Sequence, residues 1–320
     1  MTPDLDTGRV LIRLTCADGQ VSGAQVSSER PEVSRLLRGR TTQQAVRMVS
    51  LMFALCGQAQ TRAAVSAMCA ARGEECSPMI DQDVQREALR EHLWRCLLNL
   101  PPLMCDAELQ QEFVLGAKAI AEGRRDELLA LLTRPSIQSL RMRLCQLDDA
   151  HTYPSRFFPP LDARSSLAAW PRLTAESCRR PQWRGAAAET GALARKLAGA
   201  TIPFMSAHWQ ARFDELMEWA SGHDAAGCVG SVSAVPVAPG IGRALVETAR
   251  GLLMHEVVLD DDVVTGYLIA APTEWNFHPQ GVLHDRLIGA DARDRDALRQ
   301  LVARLVTTLD PCVPWELEWA

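Results

Sequence analysis

The chain has 320 residues, of which 47% are hydrophobic and 23% are charged, and its formal net charge is -5 at pH 7. An acidic chain of this length can bury a large core, but it lacks the basic surface of a general nucleic-acid binder. No apolar run reaches the ~20 residues that span a bilayer. The N-terminus also lacks the apolar segment of a signal peptide, so we expect a cytoplasmic protein without nucleic-acid or membrane partners.

The first predicted element is a β-hairpin. Residues 9–15 and 20–27 alternate or run apolar on either side of Asp18-Gly19, a pair that is typical of a hairpin turn. A short helix is expected next, from Arg30-Pro31 to about residue 39.

A longer helical pattern follows from Thr41 to about Arg72, with Gly73 as the stop signal. The pair Cys56-Gly57 interrupts this pattern, because glycine weakens a helix interior and lets the backbone approach a ligand. We therefore expect a break in the helical region at Cys56.

Further helices, a loop and a second hairpin complete the predicted elements. The region 151–184 is rich in proline, arginine and tryptophan, and we expect an irregular loop packed on the core. The second hairpin is predicted to pair strands 244–259 and 263–271 around the acidic turn Asp260–Asp262. Helices are expected at residues 81–99, 106–121, 125–133, 136–147, 186–199, 205–220 and 294–308.

The ten cysteines do not form a local metal motif, because no two of them are spaced C-x-x-C. This argues against a zinc ribbon, a local iron-sulfur motif or a thioredoxin-type pair. Most of them are expected to be reduced residues of the core.

Three segments carry candidate chemistry: Leu55-Cys56-Gly57, the Arg250-Gly251 pair within 247–251, and Asp310-Pro311-Cys312. Each is a weak signal alone. A cysteine in an apolar helix is most often a small core residue, and a proline after a helix is a common stop signal.

Taken together, the order and spacing of these segments resemble the large subunits of nickel-iron hydrogenases. The matching segments are Arg13–Gly19, Val33–Arg40, Cys56-Gly57, Glu247–His255, Tyr267–Asn276, Leu287–Gly289 and Asp310–Cys312. Residues 80–235 show no comparable resemblance. The resemblance implies one domain over residues 1–320, shortened in the middle. It also implies a mainly α, α+β fold, with a long-helix core and small β-hairpins near the N-terminus and before the C-terminal helix.

The departures from the family pattern bear on function. Alanines stand at the positions of the second cysteine and the histidine of the first motif, Ala59 and Ala63, and at the preceding arginine position, Ala54. In the last motif the second cysteine position is Trp315 and the histidine position is Glu318. Two of the family's four cysteines remain, so a tetrathiolate nickel site cannot be built and no nickel is expected. Thr15 stands at the position of the family's proton-transfer glutamate.

The pattern is similar to that of hydrogenase accessory proteins of the HupK/HoxV type. This resemblance implies a non-catalytic scaffold that carries an Fe(CN)2(CO) unit between a HypC-type chaperone with HypD and the hydrogenase large-subunit precursor. Cys56 and Cys312 are expected to hold the iron, with Arg250, Asp310 and Thr273 around it. Arg250 is expected to hydrogen-bond a cyanide and to lower the pKa of the cysteines.

Two alternatives stay open at this point. One is a metal-free interaction protein, a mimic or holdase that stabilises an immature hydrogenase subunit. The other is a thiol enzyme that uses Cys56 or Cys312, although no motif places a histidine beside either residue. For His255 we expect a hydrogen bond behind the site, and for Asp310 either a helix-end cap or a place near the metal.

Overall fold

Helices and two sheets form the part of the chain that the structure, a computed structural model, describes. The described residues are 8–29, 32–74, 77–147, 160–161, 170, 172–196, 204–223 and 228–320. The helices are α1 Thr42–Met52, α2 Gly57–Ala71, α3 Gln82–Trp94, α4 Leu100–Leu103, α5 Gln110–Ala121, α6 Arg125–Leu132, α7 Pro135–Met142, α8 Ala175–Arg179, α9 Ala192–Lys196, α10 Phe204–Ala220, α11 Pro272–Asn276, α12 Val282–Leu287 and α13 Arg295–Leu309.

The strands build a three-stranded sheet, a five-stranded sheet and one short separate pair. They are β1 Arg9–Ala17, β2 Gln20–Glu29, β3 Met79–Ile80, β4 Pro160–Leu161, β5 Glu189–Thr190, β6 Ser231–Ala238, β7 Ile241–Thr248, β8 Gly251–Asp260, β9 Val263–Ala270 and β10 Trp315–Trp319. The orders are β10-β1-β2 and β3-β6-β7-β8-β9, and β4 pairs with β5. The mainly helical α+β architecture is thus present, but its β parts are larger than the small hairpins predicted.

The first hairpin joins β1 and β2 through Asp18-Gly19, where both residues have positive φ. Strand β10 then pairs in parallel with β1, with Val10 opposite Trp315. This strand was not predicted, although the segment Trp315–Trp319 alternates apolar and charged residues as a strand does. It brings the C-terminal segment beside the first strand of the chain.

The predicted strand 244–259 is wrong, because the chain reverses direction inside it. Strands β7 and β8 are antiparallel, with Thr248 opposite Gly251. Gly251 has a φ of +129°, and a Cβ there would lie 2.5 Å from Thr190 Cγ2. Only glycine accepts this conformation and this close approach, so the chain turns at Ala249-Arg250, directly before Gly251. The strand predicted at 263–271 is present as β9.

Helix α2 lies directly on the five-stranded sheet. A Cβ at Gly242 of β7 would lie 2.0 Å from the carbonyl oxygen of Ala67 and 2.3 Å from the backbone nitrogen of Ala71. The helix contributes small buried residues to this contact, Ala64, Ala67 and Ala71 among them. The short side chains let the helix and sheet backbones approach closely, and this approach sets the position of the N-terminal end of α2.

Most other predicted helices are present with shifted ends. The helix predicted at 81–99 becomes α3 followed by a π-helical turn at Arg95–Asn99, and the segment 136–147 becomes α7 and a 3-10 turn at Leu144–Leu147. Strand β5 and the short helix α9 replace most of the helix predicted at 186–199, whose last residues lie outside the described ones. Most of the loop predicted at 151–184 also lies outside them. Among the described residues, no helix has the length and apolar character needed to cross a membrane.

Candidate functional site

Cys56 is the residue immediately before α2, where the chain leaves the break after α1. Its backbone is not helical, with φ -133° and ψ 36°. The carboxylate of Glu87 on α3 accepts hydrogen bonds from the backbone N–H groups of Gln58 and Ala59 at 2.8 and 3.1 Å. A carboxylate at a helix N-terminus satisfies free N–H groups and the helix dipole, so Glu87 holds the start of α2 and with it Cys56.

The sulfur of Cys56 lies in apolar packing with one polar neighbour. Cys56 packs against a cluster that contains Ala59, Ala63 and Val246, and Gln60 Nε2 lies 3.8 Å from its Sγ. Burial, followed by the charge of Cys312, raises the pKa of Cys56 to about 12, although Arg250 and Gln60 act in the opposite direction. The prediction that Arg250 leaves Cys56 with a lowered pKa is therefore wrong, because desolvation outweighs the nearby positive charge.

Cys312 lies after the last turn of α13 and contacts Thr273 of α11. The Cys312 backbone N–H donates to Thr273 Oγ1 at 3.3 Å, and the same oxygen lies 3.1 Å from Cys312 Sγ. Either the hydroxyl or the thiol can be the donor in this second contact. Thr273 thus fixes the position of Cys312 through its backbone and its sulfur.

Arg250 lies at the turn between β7 and β8 and faces both cysteines. Its Nη2 donates to Glu91 Oε2 at 2.7 Å, its Nε lies 3.4 Å from Asp310 Oδ2, and neither contact uses Nη1. Burial opposes its charge, but Asp310, Glu91 and the two cysteines outweigh burial and raise the pKa of Arg250. The guanidinium is therefore charged and fixed in the site.

Asp310 ends α13 in the left-handed conformation, with φ 55°. Its second oxygen, Oδ1, lies 2.8 Å from Arg95 Nη2, so both carboxylate oxygens face arginines. Burial raises the pKa of Asp310, but Arg250, Arg95 and Arg212 outweigh it, and the net pKa is lowered. Asp310 is thus the residue that caps the end of α13, and its side chain is the partner of two arginines; its place near a bound metal stays a prediction.

Several residues of the site were missed from the sequence. Glu91 and Arg95 come from α3 and its π-helical turn, and Arg212 comes from α10. The signal available for the first two was a glutamate and an arginine spaced i, i+4, although in the fold they pair with Arg250 and Asp310. Arg95, Arg212 and Arg250 all act on Asp310, so this side of the site is strongly ionic.

The structure thus brings together the five residues predicted from the sequence: Cys56, Thr273, Arg250, Asp310 and Cys312. The two cysteines, 256 residues apart in the chain, interact electrostatically with each other and with Arg250. Within the described part of the chain, no group of three His, Cys, Asp or Glu side chains could hold a metal ion. The site therefore offers two sulfur donors and one cationic group.

The positions of the family's other two cysteines and of its two motif histidines have structural contacts in this chain. Ala59 and Ala63 are fully buried in the packing between α2 and the sheet. Trp315 begins β10, and Glu318 of the same strand pairs with Arg13 at 2.6 Å. Packing and strand pairing thus involve all four of these positions.

His255 and Asn276 support the site from behind, as the sequence predicted for His255. His255 is hydrogen-bonded to Gln60 and Tyr267, at 2.8 and 2.7 Å, and not to a sulfur. Asn276 Nδ2 donates to the carbonyl oxygen of Arg250 at 3.2 Å. An adjacent cavity of about 730 Å³ is lined by residues that include Phe53, Ile269 and Glu274.

Comparisons with known proteins show what the chain is similar to. The model of the nickel-dependent hydrogenase family matches residues 190–314, which include Arg250, Thr273, Asp310 and Cys312. Two solved NiFeSe hydrogenases share the fold: that of D. vulgaris Hildenborough has a TM-score of 0.54, with 15% identity and coverage of 93% of this chain and 94% of that chain. That of Desulfomicrobium baculatum has a TM-score of 0.55, with 14% identity and coverage of 93% and 95%.

Curated relatives match the chain over almost its whole length. The hydrogenase expression/formation protein HoxV of Cupriavidus necator is 31% identical, with 96% of this chain and 95% of the relative covered. HupV of Azotobacter chroococcum is 28% identical (97% and 98% covered), and HupK of Azotobacter vinelandii is 29% identical (97% and 98% covered). The chain therefore belongs to the family of hydrogenase expression/formation proteins that includes HoxV, HupV and HupK.

Proposed function

We propose that this chain is a non-catalytic scaffold for the maturation of nickel-iron hydrogenase. In this proposal it transiently holds the Fe(CN)2(CO) unit between Cys56 and Cys312 and passes it to the large-subunit precursor. The observation that carries the proposal is the meeting of two distant cysteines with a buried, charged Arg250 in one site. The relatives, named for hydrogenase expression and formation, support a role in maturation.

The donor set suits the iron unit better than a nickel centre. Nickel in the related enzymes is held by four cysteines, as the resemblance implies, and two of those positions are Ala59 and Trp315 here. The Fe(CN)2(CO) unit brings three ligands of its own, so two thiolates leave one octahedral position to a partner or to solvent. An iron unit bound by two sulfurs dissociates more readily than a metal bound by four, and a carrier requires such release.

The charge of the site also suits this cargo. Two cyanides and two thiolates together carry more negative charge than ferrous iron offsets. Arg250 provides a buried positive charge that interacts with both sulfurs. Buried anions need such compensation. The Arg250 guanidinium also has donors that can reach a cyanide nitrogen.

The proposed partners follow from the role. A HypC-type chaperone with HypD would deliver the unit, and the hydrogenase large-subunit precursor would receive it. Turnover by a thiol mechanism is disfavoured: within the described residues, Gln60 contacts the sulfur of Cys56 and Thr273 that of Cys312, so neither sulfur pairs with a histidine.

Infrared spectroscopy tests the proposal directly. The protein, purified from cells that contain the maturation proteins, should show cyanide and carbonyl stretches. These bands should disappear in the double variant Cys56→Ala, Cys312→Ala. The matched control is the double variant Cys105→Ala, Cys145→Ala, which removes two exposed cysteines outside the site and should keep the bands.

The alternative, a metal-free mimic or holdase, predicts a different pair of results. It expects no bands in the unmodified protein and unchanged binding of the hydrogenase precursor when Cys56 and Cys312 are both replaced. A pull-down of the precursor with the same two double variants measures this. Bands that persist in the Cys56→Ala, Cys312→Ala variant would contradict the scaffold proposal.

A further inference from the structure

A chain of hydrogen bonds leads from the edge strand of the five-stranded sheet to the sulfur of Cys56. Tyr267 of β9 contacts His255 Nδ1 through its hydroxyl at 2.7 Å, and His255 Nε2 contacts Gln60 Oε1 at 2.8 Å. Gln60 of α2 then presents Nε2 to Cys56 Sγ at 3.8 Å. All three intervening side chains are buried, with exposures of 1%, 0% and 2% for Tyr267, His255 and Gln60.

Such a chain has two possible polarities. His255 is neutral, because burial lowers its pKa from 6.5 to about 3, and a neutral imidazole carries one N–H. If the Tyr267 hydroxyl donates to Nδ1, then Nε2–H donates to the Gln60 oxygen and the Gln60 amide N–H faces the sulfur. In the reverse case, Nδ1–H donates to Tyr267, and the Gln60 oxygen faces the sulfur.

The surroundings of Tyr267 favour the first polarity. In the reverse case the Tyr267 hydroxyl hydrogen would need another acceptor, and the described residues offer it none besides His255. A buried donor without an acceptor costs about 1–3 kcal/mol. A deprotonated or metal-bound sulfur at Cys56 can also only accept a hydrogen bond. The Tyr267 end therefore requires donors that point toward Cys56, and the Cys56 end requires the same once its sulfur binds a metal.

We propose that Tyr267 and His255 hold the Gln60 amide so that it donates to the sulfur of Cys56, which makes Gln60 a positioning residue for the bound iron. This inference rests on the proposed function, since it assigns Gln60 a role toward the cargo. A hydrogen bond to a metal-bound thiolate weakens electron donation from sulfur to the metal. Gln60 thus weakens the bond between the sulfur of Cys56 and the iron, as expected of a site that must release the iron.

The polarity can be measured without any cargo. Nitrogen-15 NMR of protein labelled at its histidines distinguishes the two neutral tautomers, and the variant His255→Gln identifies the His255 signals. The Nε2–H tautomer is expected at His255. The Nδ1–H tautomer would overturn the inference, whether or not the protein carries iron.

The role toward the iron is measured by the infrared bands of the loaded protein. Gln60→Met keeps the length of the side chain and removes its N–H, so stronger donation by sulfur should shift the carbonyl stretch to lower frequency. The matched control is Gln85→Met, because Gln85 Nε2 lies 3.8 Å from Cys228 Sγ in an equivalent pair outside the site. That variant should leave the stretch unchanged.

The outcomes separate the two proposals. An unshifted carbonyl band in loaded Gln60→Met contradicts the positioning role and leaves the scaffold intact. Absence of cyanide and carbonyl bands from the unmodified protein contradicts the scaffold and, with it, the role of Gln60 toward iron. In that case the NMR experiment still decides the polarity of the hydrogen-bond chain.

Discussion

The two cysteines of the site are placed by different physical means. Cys56 lies in packing: its sulfur is in an apolar cluster at the start of α2, a helix that packs on the sheet at Gly242 and whose first N–H groups are held by Glu87. Cys312 is placed by polar contacts: Thr273 hydrogen-bonds it, and the preceding Asp310 is held between Arg250 and Arg95.

This difference shows how one site can combine a protonated thiol on one side with paired, charged side chains on the other. Burial keeps the pKa of Cys56 high, at about 12, so metal binding there must displace a proton. The charged side chains around Asp310 provide the fixed charges that an anionic cargo needs. The predictions below separate the two sides by breaking ionic contacts on one and packing or buried hydrogen bonds on the other.

The largest effect is expected on the ionic side, for Arg250→Ala. The change leaves Glu91 without its buried partner and removes one of the two arginines of Asp310. Breaking a buried pair in this way costs about 3–5 kcal/mol. Chemical denaturation should show this loss. The control Arg293→Ala removes an exposed ion pair with Asp291 and should leave the midpoint unchanged; equal midpoints for both variants would refute the ionic account.

On the packing side, Gly242→Ala should destabilise the protein by about 1–3 kcal/mol. The added methyl group would overlap the backbone of α2 at Ala67 and Ala71. Backbone atoms cannot move aside as the end of a flexible side chain can. The same denaturation measurement tests it. Gly23→Ala is the control, because a Cβ there finds Thr15 at an ordinary 3.5 Å. A Gly242→Ala protein as stable as the control would mean that α2 does not depend on this contact.

The buried His255 should make the protein sensitive to acid. The folded-state pKa is lowered to about 3, whereas the unfolded chain takes up its proton near 6.5. The stabilisation is therefore complete above pH 6.5 and is lost as the pH falls toward 3, by about 1.4 kcal/mol per pH unit. Unfolding free energies measured across this range should fall less steeply in His255→Gln. Identical slopes would show that His255 is not buried as a neutral group.

The smallest effect is expected for Thr273→Val, which removes the hydroxyl group between the backbone and the sulfur of Cys312. Loss of these hydrogen bonds should cost about 1 kcal/mol. Thr273→Ser keeps the hydroxyl and should recover most of the stability, as denaturation curves of the two variants can show. If valine and serine behave alike, the methyl group of Thr273 and not its hydroxyl supports Cys312.

Local elements were predicted well where a local signal exists. The break at Cys56-Gly57 is present between α1 and α2, and the helix predicted at 294–308 is α13, which begins after the capping residue Asp294. The prediction failed at 244–259, because the apolar pattern gives no sign of the turn at Ala249-Arg250. It also missed β10, which is a strand because β1 offers it a partner.

The same limit applies to the site. Motif order identified Cys56, Arg250, Thr273, Asp310 and Cys312 as candidates. Glu91 and Arg95 belong to no motif, and their role depends on how α3 packs against the end of α13. The pKa of Cys56 was predicted with the wrong sign, since the sequence shows the neighbouring charge but not the loss of water around the sulfur.

The sequence by itself determined the family, the loss of two of the four ligand cysteines, and the approximate positions of most helices. Those features depend on residue identity and on short-range periodicity, and both can be obtained directly from the sequence. Only the tertiary structure decided that Cys56 and Cys312 lie in one site with Arg250 and that Cys56 is a weak acid. The fold also decided that hydrogen bonds connect Tyr267 and His255 to the sulfur of Cys56 through Gln60. Desolvation and hydrogen-bond direction depend on neighbours from distant parts of the chain, and these neighbours exist only in the folded protein.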